Sequence, residues 1–171
     1  MTEHSPFFAD LVQIHESAIV SPLADLEMSE RGSRIEIGAG SRIDSFVKIK
    51  PAGGSGNICI GTNSYINSGC VLYSGNGIEI GNDVLISANC TLAPVNHSFS
   101  DLTIPIRQQG FSLGRGGIII ESDVWIGSNC VLLDGAVVRT GCVIGAGSLI
   151  RGELPPYHIC YGSPAKPSKK R

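Results

Sequence analysis

From residue 120 onward a large aliphatic side chain recurs at every sixth position: Ile120, Ile126, Leu132, Val138, Ile144 and Ile150. An amphipathic helix needs spacings of three and four, and a single strand alternates by two, so a sustained period of six fits neither as one long element. It fits short strands, each turned into the next at a fixed corner. The same beat runs upstream in sets of three: Ile14, Val20, Leu26; Ile37, Ile43, Ile49; Ile60, Ile66, Leu72; Ile80, Ile86, Leu92. Three hexads close one triangular turn of 18 residues, short insertions separate the sets, and the repeats together predict about six coils.

The fourth position after each aliphatic is small or medium: Ala18, Ala24, Ser41, Val47, Ser64, Cys70, Val84, Cys90, Val124, Cys130, Ala136, Cys142 and Ser148. A side chain pointing inward where two walls meet must be small, because close packing leaves no room for more. Glycine follows the aliphatic at Gly38, Gly61, Gly81, Gly127 and Gly145, where turn geometry is the expected reason. Four of the six cysteines (Cys70, Cys90, Cys130, Cys142) share the inward phase and read as small buried hydrophobes; no C-x-x-C suggests zinc or a redox pair.

The length of 171 residues suits one domain, 1–171. A net charge of −2 gives no broad electrostatic case for nucleic acid or an anionic membrane; the basic tail Lys166, Lys169, Lys170, Arg171 reads as a solvated terminus. No apolar run approaches the ~20 residues of a membrane span. The start MTEHSPFFADL lacks the pattern of a secretory signal, so a cytoplasmic protein is expected.

Beyond the beat, four segments stand out: NHSFSDLTIPIRQQG (96–110), SDVWIGSNCVLLDGAVV (122–138), GAGSLI (145–150) and GSPAK (162–166). Together with the hexads, over roughly residues 12–167, they resemble the hexapeptide-repeat acyltransferases. Within that family they are most similar to the galactoside and maltose O-acetyltransferases and to the acetyltransferases of surface-polysaccharide (O-antigen, lipopolysaccharide, capsule) biosynthesis. The resemblance implies an all-β chain, a left-handed parallel β-helix of about six coils with one extruded loop at 93–119 and a short C-terminal tail. The handedness comes from the resemblance alone, since strand crossovers are otherwise right-handed in ~98% of cases. It also implies a homotrimer, acetyl-CoA as acyl donor with no metal required, and a sugar or glycan acceptor.

The beat breaks between Leu92 and Ile118, and a loop of that length inside a compact domain is often functional. Acyl transfer from a thioester needs a group to take the proton of the attacking hydroxyl or amine, which suits a histidine. His97 matches the family's catalytic histidine; His4, His15 and His158 read as terminal, corner or structural residues. By the same resemblance Asn67, in Y-I-N, contacts the acceptor, and Asn96 shapes or contacts it beside the base. Trp125, in V-W-I-G, lines the pantetheine channel, and Ser128 and Ala146 offer backbone contacts to coenzyme A. Arg151 and Lys166 fall where the family meets the nucleotide end of the cofactor, although Leu149–Glu153 reads LIRGE with Gly152 in place of a usual lysine. Ser128 and Ala146 are 18 residues apart and so stack on adjacent coils, ~4.8 Å from one another.

Phase puts Asn67, Trp125, Ser128 and Ala146 on the second face or at the corner before it, and His97 after the third face. One prism does not easily unite those corners, so sites completed between subunits are expected. The expected reaction is O-acetylation of a sugar hydroxyl; N-acetylation of an amino sugar or nucleotide amino sugar has the same motifs, and a non-catalytic hexapeptide scaffold is the alternative from another class. A zinc enzyme of the γ-carbonic anhydrase kind is disfavoured by scattered histidines with no close pair.

Overall fold

The sixfold beat becomes three parallel sheets wound from one chain. The structure, a computed structural model, describes residues 11–171; His4 lies outside them. The first sheet runs through Val12–Ile14, Ile35–Ile37, Ile58–Ile60, Ile78–Ile80, Ile118–Ile120, Ala136–Val138 and Glu153–Leu154. The second holds Ile19–Val20, Arg42–Ile43, Tyr65–Ile66, Leu85–Ile86, Trp125–Ile126, Val143–Ile144 and His158–Gly162, and the third starts at Asp25–Leu26 and ends at Leu149–Ile150. The chain visits the sheets in rotation, so the fold is a parallel β-helix with six full coils.

Register confirms the hexad reading residue by residue. Ile14, Ile37, Ile60, Ile80, Ile120 and Val138 are partners across the first sheet. Val20, Ile43, Ile66, Ile86, Ile126 and Ile144 are partners across the second. Like side chains therefore stack in continuous ladders, and from the second coil onward they are buried in a single core. Ile14 stays 44% exposed, since its coil has a neighbour on one side only among the described residues.

The small inward residues close the corners chemically as well as sterically. Ser41 and Ser64 donate to the carbonyls of Gly61 and Gly81 at 2.6 and 2.8 Å, and the Cys90 and Cys130 thiols approach those of Gly127 and Gly145 at 3.2 and 3.3 Å. Buried carbonyls that the ladder leaves half-satisfied thus gain a partner. All six cysteines are free, and burial pushes the Cys160 thiol up to about 11, which suits packing rather than reactivity.

Several expectations need correction. The glycines after the aliphatics do not serve left-handed turns; a Cβ on Gly127 would stand 2.6 Å from the amide nitrogen of Ala146 in the next coil, so close stacking requires them. Left-handed φ falls elsewhere, at Gly69, Asn89, Asn129 and Gly147, φ 59–73°, in the corner between the second and third sheets. The extruded loop is shorter than 93–119, spanning 94–117, because Ala93 still pairs with Leu133 and Ile118 already pairs with Ile78. After Ile150 the chain begins a seventh, partial coil four residues on, placing Leu154 beneath Val138 and Cys160 beneath Ile144. Finally, the tail is not merely solvated: Ala165–Lys170 folds back antiparallel on His158–Gly162, and Arg171 pairs with Asp123 at 2.9 Å.

Candidate active site

The loop that carries His97 is built from its own sequence. Its two limbs pair where the Ser98 amide donates to the Gly110 carbonyl (3.0 Å) and the Ser112 amide to that of Asn96 (2.8 Å). Gln109 staples the tip: its Oε1 accepts from the Asp101 amide, and its Nε2 donates to the carbonyls of Asp101 and Ile104 at 2.7 and 3.0 Å. Asp101 in turn accepts from the amide and hydroxyl of Thr103, the first cause of its lowered carboxyl pKa. The D-x-x-x-P-I-x-x-Q-G run is thus a loop-folding motif.

Asp134, to which no sequence motif points, anchors the returning limb. Its carboxylate accepts from the amides of Arg115 (2.6 Å) and Gly117 (2.9 Å) and from Asn76 Nδ2 (3.1 Å). Asp134 lies in D-G directly after a third-sheet strand, a turn signal whose long-range partners no local pattern reveals.

On this frame His97 is exposed to solvent. Its ring rests on Phe111 with centroids 4.6 Å apart, and Nδ1 lies 3.2 Å from the Gly110 carbonyl. A carbonyl only accepts, so Nδ1 carries the hydrogen and neutral His97 presents Nε2 as a lone pair. That is the tautomer a general base requires. Asn96 Oδ1 accepts from the His97 amide at 3.0 Å, so this side-chain oxygen shapes the loop beside His97.

The other expected residues occupy the second sheet and the corner that follows it. Their corner lies between the second and third sheets, not before the second, because Asn67, Ser128 and Ala146 come after the strand-ending aliphatics Ile66, Ile126 and Ile144. Trp125, 49% exposed, pairs between Leu85 and Val143 and donates Nε1 to Ser87 Oγ at 3.1 Å. Asn67 uses Oδ1 to accept from the Ser68 amide, which leaves its Nδ2 donors uncommitted. Beside it, Asp44 accepts from the Tyr65 and Ser68 hydroxyls at 3.1 and 2.9 Å; its carboxyl is held below its usual range, chiefly by the Ser45 amide. Ser128 and Ala146 stack at the corner, linked by the Gly147 amide donating to the Ser128 carbonyl at 2.8 Å, and their own amides have no partner among the described residues. Gly127 and Gly145 keep this column smooth. Lys166 faces Tyr161 on the closing hairpin of the same sheet.

Arg151 separates from that set. One residue past Ile150 in the third sheet, it shares a cleft of about 610 Å³ with Asn96 and Ser98, on the His97 side. None of Asn67, Trp125, Ser128 or Ala146 lines this cleft. Within one chain His97 and the smooth column stand at different corners. Among the described residues no three His, Cys, Asp or Glu side chains gather as metal ligands, and no helix is long and apolar enough to cross a membrane.

The family described as bacterial transferase hexapeptide (six repeats) matches residues 117–152. Over that segment the chain is similar to the hexapeptide-repeat family. The three parallel sheets and the solved structures that it resembles make its fold a left-handed parallel β-helix. WbbJ of Escherichia coli K12, named a putative lipopolysaccharide biosynthesis O-acetyl transferase, is 29% identical over 81% of this chain and 70% of its own. The galactoside O-acetyltransferase of the same organism is 34% identical over 64% of this chain and 52% of its own. The chain spans about half the length of most of its curated relatives, and 31% of one of them. Among solved structures, AntD of Bacillus cereus, an N-acyltransferase crystallised as a point mutant with dTDP-4-amino-4,6-dideoxyglucose and coenzyme A, superposes with a TM-score of 0.77. It is 26% identical, and the alignment covers 93% of this chain and 83% of that one.

Proposed function

We propose that this protein is an acetyl-CoA-dependent acyltransferase that acetylates a sugar hydroxyl in surface-polysaccharide biosynthesis, with His97 as general base. The observation that carries the reading is the Nδ1 contact to the Gly110 carbonyl, which supports the base-competent tautomer on an exposed loop. The acceptor hydroxyl gives its proton to Nε2 as its oxygen attacks the thioester carbonyl. The imidazolium then protonates the departing thiolate, and the products are the acetyl ester and coenzyme A. No enzyme nucleophile and no metal enters.

In this reading the pantetheine arm follows the smooth column, with Trp125 as a wall and the free amides of Ser128 and Ala146 as donors to its carbonyls. Asn67 and Asn96 contact the acceptor, and Arg151 and Lys166 meet phosphate. Because the base and column occupy different corners, each site is assembled between copies of a homotrimer in this reading. Acetyl-CoA supply puts the work in the cytoplasm.

The AntD likeness, together with the Asp44–Tyr65–Ser68 group beside Asn67, favours a second reading in which the acceptor is an amino sugar. Thiol release from acetyl-CoA over a panel of sugars, amino sugars and nucleotide sugars decides between them. Release with hydroxyl-only acceptors supports O-acetylation; release only with amines supports the second reading; no release combined with no acetyl-CoA binding supports a non-catalytic scaffold.

A further inference from the structure

We propose that the corner one coil above Asn67, built by Asp44, Phe46, Tyr65 and Ser68, is a subsite for a second sugar ring, so that the acceptor is an oligosaccharide. The proposal deepens the acyl-transfer reading and rests on it for the direction in which the acceptor runs. The column of Gly127 and Gly145, which that reading gives to the pantetheine arm, continues into the earlier coils. Each coil repeats one contact, in which the residue after the strand-ending aliphatic donates its amide to the aliphatic of the next coil: Gly127 to Ile144, Ser87 to Ile126, Asn67 to Ile86 and Asp44 to Ile66. Asp44 therefore stands next beyond Asn67 in the same column, ~4.8 Å further from the cofactor.

Phe46 gives this corner an aromatic surface. Its φ is 63°, in the left-handed region, where the matching corners of the later coils carry Gly69, Asn89, Asn129 and Gly147. Glycine and asparagine tolerate that region, whereas a bulky side chain is strained there. The fold gains nothing in return, because the ring is 69% exposed and lies outside the core. Strain kept on an exposed ring marks a surface held for a ligand.

The polar groups beside the ring define the ligand's chemistry. Tyr65 and Ser68 both commit their hydroxyl hydrogens to Asp44 Oδ2, at 3.1 and 2.9 Å, and the Ser45 amide donates to Oδ1 at 2.9 Å. The Arg42 guanidinium braces the Tyr65 ring, 5.5 Å from its centroid. What stays free on Asp44, Tyr65 and Ser68 is lone pairs, so this trio accepts hydrogen bonds and offers none. It takes a ligand that donates, through the hydroxyls of a sugar or the ammonium of an amino sugar, and turns away phosphate and carboxylate. A pyranose meets both demands, with hydroxyls toward the trio and an apolar face for the Phe46 ring.

Binding of wild type, Phe46→Asn, Asp44→Asn and the loop control Leu102→Asn to an array of immobilised mono- to tetrasaccharides tests the subsite. Coenzyme A affinity, thermal midpoint and mass in solution are measured on each protein. The expected result is that wild type retains oligosaccharides more strongly than the matching monosaccharides. Phe46→Asn and Asp44→Asn should each weaken oligosaccharide retention by roughly threefold to tenfold, with coenzyme A affinity unchanged. Phe46→Asn should melt no lower than wild type, since asparagine is the residue that the same corner carries at Asn89 and Asn129. Leu102→Asn should match wild type throughout. Equal retention of mono- and oligosaccharides, no oligosaccharide retained by wild type, undiminished retention in either subsite variant, or an equal loss in Leu102→Asn overturns the proposal. So does a Phe46→Asn protein that melts lower and has a smaller mass, which assigns the ring to a contact between copies. Oligosaccharide binding through the two residues with no binding of coenzyme A overturns the acyl-transfer reading and leaves the subsite standing.

Discussion

Asp134 shows how one side chain sets the geometry of the loop packed against it. Removing its carboxylate leaves the Arg115 and Gly117 amides without their partner, and an unsatisfied buried donor costs about 1–3 kcal/mol. Gly117 is buried, so its amide feels the loss most. Asp134→Ala is therefore expected to loosen the returning limb without unfolding the prism. Hydrogen exchange should show faster exchange at Arg115 and Gly117 while core amides such as that of Ile126 stay protected; unchanged exchange at both would contradict the role. At this scale the sequence is partly legible. His97 and its flanking motif suggest a base in the sequence, and Gln109 closes the loop within its own short run, but Asp134 and Phe111 act on the loop through contacts that no short pattern records. Arg151 reads in sequence as a contact to the nucleotide end of the cofactor; in the structure it lies in the third sheet, at another corner from Ser128 and Ala146.

The coils are legible because their constraint is local and periodic. Each ladder position demands an aliphatic, each inner corner a small side chain, and the demand repeats until it is unmistakable. The partial seventh coil and closing hairpin escape the pattern because the beat shortens from six to four after Ile150. Polar clusters also tie coil to coil. Glu121 accepts from Arg139 (2.7 Å) and from the amide and hydroxyl of Thr140 in the next coil, while Arg139 also reaches Glu153 below. The Arg139 guanidinium and Thr140 hold the Glu121 carboxyl below its ordinary 4.5. A depressed folded pKa contributes stability that is full above the unfolded value and is lost as pH falls through the folded one. Glu121→Gln should thus be somewhat less stable than wild type at neutral pH, and the gap should narrow as pH falls below the ordinary 4.5. Urea midpoints between pH 7 and 3 test this; a gap that persists or widens in acid would contradict it.

For the whole molecule, the fold leaves His97 and the smooth column on separate corners of one prism, and the loop exposes Phe99, Leu102, Ile104, Ile106 and Leu113. Copies are therefore expected to share sites. Two inactive variants, His97→Ala and Ala146→Trp, should regain activity when unfolded together and refolded as a mixture, because some sites then combine an intact base with an intact channel. Activity no greater than that of the separate variants would place the whole site in one chain.

The most direct test of the central claim is turnover of His97→Ala beside wild type, with coenzyme A affinity measured on the same samples. Loss of a general base lowers turnover by roughly 10²–10⁴-fold, and since His97 lies off the cofactor column, affinity for coenzyme A should stay near that of wild type. Turnover matching wild type would show that His97 is not the base and that the loop serves another purpose.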